Sequence, residues 1–227
     1  MSEYFLEKRQ PSTEAIYFAE LPPDGIVAAL KDREKKFANG RSISASALSM
    51  LALESALDQI PKDSSPDESY FLLVPTESNW TAIFESSGKD GADVNTTPAI
   101  ISRFGHCRVC VAAAARDTSV EHRKDRKIKL SFGSVRFDLL NEGECQRNIQ
   151  SMNEGTGRWV FYSYGSPLEF ENLSAYKNKR VKDRFTVDDL NYVLASNFGI
   201  RYKDLTFYRP ENGCLLIRER LKIFGLF

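Results

Sequence analysis

The stretch Gly157–Ile200, GRWVFYSYGSPLEFENLSAYKNKRVKDRFTVDDLNYVLASNFGI, has the densest aromatic content and the clearest alternation in the chain. Within Arg158–Tyr164, Trp159, Phe161 and Ser163 share one face of a strand, and Val160, Tyr162 and Tyr164 share the other. Large rings on both faces predict a strand covered on both sides, at the centre of the fold. Gly165-Ser166-Pro167 ends it, and Pro167–Glu171 is expected to drape apolar groups back onto the core. A helix follows. Thr186 is a good N-cap, and Asp188 and Asp189 lie at the positive end of the helix dipole. Val187, Leu190, Val193, Leu194 and Phe198 form the apolar face, and Gly199 is the stop.

Upstream, Cys145–Met152 reads as a strand, joined through the turn Asn141-Glu142-Gly143 to Ile128–Leu140. The alternation of that segment slips phase at Gly133, which predicts a bulge or a turn. Asp117–Lys127 reads as a charged loop and Arg108–Ala115 as a buried strand. Thr96 or Thr97 caps a short helix that has Pro98 near its first turn, runs to Phe104 and stops at Gly105. Asn79–Glu85 alternates, and Tyr70–Thr76 is apolar on both faces, as a central strand is. Lys62–Ser69 is polar and serves as an internal linker. Ser42–Ile60 reads as the longest helix, ended by Pro61, and Ile26–Phe37 as an amphipathic helix stopped at Asn39-Gly40. Glu14–Leu21 is a strand or the lead-in to a helix, and residues 3–9 are an edge strand or a frayed arm. Downstream, Thr206–Tyr208 and Cys214–Arg218 flank Pro210-Glu211-Asn212-Gly213, a hairpin signature. The expected fold is α+β: a mainly antiparallel sheet packed against helices from the N-terminal third and the 187–198 segment. One domain over 1–227 is expected, with a helical subregion 1–61 and a sheet-rich region 70–227.

Charge is balanced at 31 basic and 31 acidic side chains, which argues against binding nucleic acid or a membrane through a global field. The start, MSEYFLEKR, lacks the apolar run of a signal peptide, and no stretch is apolar for the roughly 18 residues a membrane helix needs. Cys107, Cys110, Cys145 and Cys214 are then expected as reduced thiols in a cytoplasmic protein.

Motifs for chemistry are sparse. His106-Cys107-Arg108-Val109-Cys110, with His122, has the residue types of a zinc site. The motif runs into an apolar strand, however, which sends the two thiols to opposite faces and predicts small buried hydrophobes. Gly-x-Ser-x-Gly is absent, and Gly88-Lys89-Asp90-Gly91 has neither phosphate-loop nor dinucleotide spacing, so no cofactor is expected. Glu85, Asp90, Asp93, Glu169 and Glu171 are either a hydrolase's carboxylates or, by the simpler reading, solvated loop charges. The basic runs Arg116–Lys129 and Lys177–Arg184 are interrupted by acids and read as solvated, although a nucleic-acid module would use such runs if they converged. Trp80, Trp159, Tyr162 and Tyr164 are core or interface anchors, core being the reading for Trp159 and Phe161, and Arg158 beside Trp159 fits the composition of a binding hot spot.

Two sets of residues carry a resemblance. One is Ser78-Asn79-Trp80-Thr81-Ala82-Ile83-Phe84 followed by Gly91-Ala92-Asp93. The other is Arg147-Asn148-Ile149, Gly157-Arg158-Trp159-Val160-Phe161, Pro167-Leu168-Glu169-Phe170-Glu171 and Asp183-Arg184-Phe185-Thr186. The pattern resembles a family of uncharacterised bacterial proteins, some of which look like immunity proteins of secreted antibacterial toxins. It covers about the last two-thirds of the chain and leaves out the first third. The resemblance implies stoichiometric, non-enzymatic binding of a cognate toxin inside the producing cell, and no catalytic residue. The expected partner-binding residues are Trp80, Glu85, Asp90, Asp93, Arg158 and Tyr162, with the Glu85–Asp93 loop as one candidate contact for a basic toxin. The alternatives are a hydrolase built on clustered carboxylates or the His106/Cys110 region, and a nucleic-acid module.

Overall fold

The computed structural model describes residues 5–6, 14–37, 40–61, 67–86, 96–121, 129–155 and 157–221. Among these, nine strands form one sheet: β1 (Ala15–Ala19), β2 (Arg41–Leu48), β3 (Glu68–Pro75), β4 (Thr81–Glu85), β5 (Arg108–Glu121), β6 (Lys129–Asn141), β7 (Glu144–Asn153), β8 (Trp159–Tyr164) and β9 (Cys214–Leu221). Their order is β2-β9-β3-β4-β1-β5-β6-β7-β8, and every neighbouring pair is antiparallel. The helices are α1 (Pro23–Phe37), α2 (Leu53–Leu57), α3 (Thr96–Gly105) and α4 (Val187–Phe198). The fold is α+β, as the residue pattern predicts.

Both faces of the sheet are used. Phe18, Leu72, Phe84, Phe137 and Ile149 pack on one side with α2, α4 and Ile200–Tyr208. Tyr17, Leu73, Ile83 and Val111 pack on the other with α1 and α3. This is why Tyr70–Thr76 is apolar in both phases: Phe71 and Leu73 face one layer, and Leu72 and Val74 the other.

Several expectations are corrected. Ser42–Ile60 is not one helix. Residues 41–48 form the edge strand β2, paired residue by residue with β9 from Arg41↔Leu221 to Leu48↔Cys214, and only Leu53–Leu57 is helical. The sequence Ser-Ile-Ser-Ala-Ser-Ala alternates with period two. The β9 ladder satisfies its backbone and overrides the helical preference of alanine.

The sheet centre is not β8. It is the five-residue β1, fifth of nine strands, while β8 is the outer strand with Tyr162 51% and Tyr164 65% exposed. The helix of the same stretch stands as predicted. Asp189 N–H donates to Thr186 Oγ1, Thr186 N–H donates to the Asp189 carboxylate, and Gly199 adopts the left-handed cap.

The charged segment after Ala115 is not wholly loop, because β5 runs on to Glu121. The register steps from Ala115↔Ser134 to Thr118↔Phe132, so β5 holds one extra residue opposite Gly133. A Cβ on Gly133 would lie 2.8 Å from Asp117 Cα. The phase slip at Gly133 thus marks a bulge on the neighbouring strand, and β6 itself does not turn there. Pro210–Gly213 does not close a hairpin either. Residues 205–207 and 210–212 are single 3-10 turns, and β9 pairs with β2 and β3. The expected arm 3–9 and linker Lys62–Ser69 fall largely outside the described residues, and His122 falls wholly outside them.

Candidate functional site

The six residues expected to meet a partner do not converge. Trp80 is 3% exposed, edge-on to Phe198 at 5.9 Å, so it is core. Asp90 and Asp93 lie outside the described residues. Arg158 and Tyr162 come together at β8, and both are exposed. Glu85 ends β4, with β1, β5, β6 and β7 between it and β8. At roughly 4.8 Å per strand that is a separation of about 24 Å. Two distinct surfaces result.

The β8 surface is held by a buried ion pair. Arg147 on β7 is 1% exposed and makes a two-point contact with Glu171, Nε to Oε1 at 2.7 Å and Nη2 to Oε2 at 2.6 Å. Its Nη1 donates to Tyr164 O at 2.7 Å, Gly165 O at 3.0 Å and Ser163 Oγ at 2.9 Å. Tyr176 OH and Leu168 N–H donate to the same carboxylate at 2.8 and 2.9 Å. Burial pushes the Glu171 carboxyl up, but Arg147 and these donors outweigh it and hold the group below its usual range. Gly165 is required where the chain leaves β8: its φ is +81°, and a Cβ would lie 2.0 Å from Gln146 O. The loop after β8 is thereby clamped against one face, where Phe161 meets Tyr176 at 4.8 Å. Tyr162 and Tyr164 stay on the opposite, open face.

The second surface is a cleft of about 350 Å³ between the sheet, the end of α1 and the start of α3. Phe71, Ile100 and Phe37 supply apolar walls, and Arg33, Arg41, Glu85 and Glu219 supply charge. Arg33 donates to Glu219 and, through Nε at 2.9 Å, to Glu34. Arg41 lies 3.4 Å from Glu219. Glu85 accepts from Tyr17 OH at 3.0 Å and Thr97 Oγ1 at 3.5 Å, and no ion pair to it occurs among the described residues. Burial, seconded by the Glu219 charge, pushes the Glu85 carboxyl up to about 7. No motif marks Tyr17, Arg33, Arg41 or Glu219. Glu219 on the same buried face as Ile217 is the one signal that β9 meets a charge partner there.

The thiols follow the strand geometry. Cys107 joins the α1/α3 layer and Cys110 the opposite one. Burial pushes Cys107 up to about 11, Cys214 up to about 12 and Cys110 well above its ordinary value. Such thiols are poor nucleophiles at neutral pH. Among the described residues no group of three potential ligands is placed to hold a metal, and no helix is long and apolar enough to cross a membrane. In the run Lys177–Arg184, Arg180 faces Asp183 at 4.0 Å and Arg184 donates to Asn178 O. Comparison with known proteins adds nothing to these surfaces: no family model, curated protein or solved structure matches the chain.

Proposed function

We propose that the chain is a non-enzymatic binding protein of the immunity type, which neutralises a cognate bacterial toxin by direct contact in the cytoplasm of the producing cell. The observation that carries this reading is β8: an outer strand with Tyr162 and Tyr164 exposed, Arg158 beside them, and a rigid buried clamp beneath. Tyrosine and arginine on a preorganised support are what a binding hot spot needs. Two-carboxylate hydrolysis finds less support, because of the two carboxylates that line the cleft Glu219 is already engaged by Arg33 and Arg41, and Glu85 has no ion pair among the described residues.

Calorimetry with the toxin encoded beside this chain tests the reading. The expected result is a one-to-one complex, weakened about 30-fold by Tyr162→Ala, the equivalent of about 2 kcal/mol. Absence of a complex overturns the immunity reading. A complex indifferent to Tyr162, Tyr164 and Arg158 moves the interface away from β8.

A further inference from the structure

The cleft at Glu85 has a charge balance that β8 lacks. Arg33 and Arg41 bring two guanidiniums to the lining and Glu219 a carboxylate that pairs with both, and Arg33 pairs also with Glu34 just outside the lining. Glu85 is the remaining carboxyl. Tyr17 on β1 and Thr97 on α3 donate to it, whereas Arg33 of α1 and Arg41 of β2 pair with Glu219 of β9. An ionised carboxylate in such a place is costly unless a cation joins it. The volume, about 350 Å³, falls in the range of roughly 300–1,000 Å³ common for small-molecule sites. Phe71 and Ile100 line it, and Phe37, 54% exposed, stands at its rim.

We propose that this cleft binds a small organic cation, a primary amine with an aromatic or aliphatic body, whose ammonium pairs with Glu85 and whose body packs on Phe71 and Ile100. A guanidinium or ammonium held by one desolvated carboxylate beside aromatic walls is a common recognition mode for amines. Binding is linked to protons. With the free carboxyl near 7, about one-tenth is ionised at about pH 6 and nine-tenths at about pH 8. Affinity for an amine is therefore expected to fall about tenfold between about pH 8 and about pH 6. The titratable and charged groups facing Glu85 are Tyr17, Arg33, Arg41 and Glu219.

The test is titration of the full chain with 2-phenylethylamine, with 2-phenylethanol as the uncharged control. Saturable one-to-one binding of the amine at about pH 8 is expected, about tenfold weaker at about pH 6. The alcohol and the Glu85→Gln variant are each expected to bind at least about tenfold more weakly. If Glu85→Gln fails to fold, Tyr17→Phe decides: loss of its hydrogen bond is expected to move the midpoint of the binding profile to higher pH. No saturable amine binding, equal binding of the alcohol, or a flat pH profile overturns the proposal. None of these outcomes depends on a toxin complex, so this site and the β8 reading fail separately.

Discussion

The ion pairs Arg147–Glu171 and Arg33–Glu219 both set arginine against a buried carboxylate, and the two places differ in what is left over. Around Arg147 nothing is: Glu171 takes both ends of the guanidinium plus Tyr176 and Leu168, and Arg147 spends its remaining donors on Ser163, Tyr164 and Gly165. Around Arg33 the account closes on Glu34 and Glu219, and Glu85 remains outside it, its pKa raised. A saturated cluster is a clamp, whereas a cluster with one carboxyl to spare is a place for a ligand. The difference also sets opposite responses to pH.

The largest effect is expected at the clamp. Arg147→Met leaves Glu171 buried without its cation and is expected to cost about 3–5 kcal/mol in urea unfolding. Replacing both partners, as in Arg147→Met with Glu171→Leu, is expected to cost clearly less than the single change. A cost below about 1 kcal/mol for the single variant would show that the loop after β8 does not depend on this pair.

Glu85 is expected to act in the other direction. Its folded pKa, about 7, lies above the unfolded value near 4.5, so between those values the folded state keeps a proton that the unfolded chain releases. Stability from this group is full below the unfolded pKa and is lost as pH rises through the folded one. Glu85→Gln is therefore expected to be more stable than the parent above about pH 7, by up to about 3 kcal/mol, with the gap closing below about pH 5. Glu171, held below its usual range, contributes stability that disappears as pH falls through its folded pKa. Thermal melts across pH on Glu85→Gln and on Arg147→Met, each against the parent, read the two signs directly, and parallel curves would erase the contrast.

Smaller changes probe the same loop. Gly165→Ala is expected to cost about 1–3 kcal/mol, because the φ of +81° and the contact with Gln146 O must both give. Thr186→Ala, at the far end of that loop, removes half of the α4 capping box and is expected to cost about 1 kcal/mol. If Gly165→Ala lowers stability without weakening toxin binding, clamp and interface are separable.

Elements whose signals are local were readable from residues alone. Helix α4 announces itself through Thr186, Asp189 and Gly199, and the β6–β7 hairpin through Glu142-Gly143, both of which adopt positive φ. The apolar run of β3, the alternation of β4 and the charge run of α1 are of the same kind. Residues 41–48 were misleading because alanine and serine tolerate either state, and the deciding partner, β9, lies about 170 residues on. The candidate cleft was legible only at Glu85. Its other members come from α1, β2, β3, α3 and β9, with Tyr17 of β1 bonded to Glu85, and the pairing order brings them together where no spacing reveals it.

The stretch Gly157–Ile200 shows the division. Its residues determine by themselves that a strand, a glycine exit, a loop and a capped helix follow one another, because alternation, φ preference and capping act over a few positions. Whether that strand is central or outermost is decided only by tertiary pairing. β1 takes the centre with five residues because β4 and β5 claim both its edges, and among the described residues β8 pairs on one edge only and carries two exposed tyrosines. Rings on both faces of a strand show that it is able to be buried, and the number of layers that reach it decides whether it is.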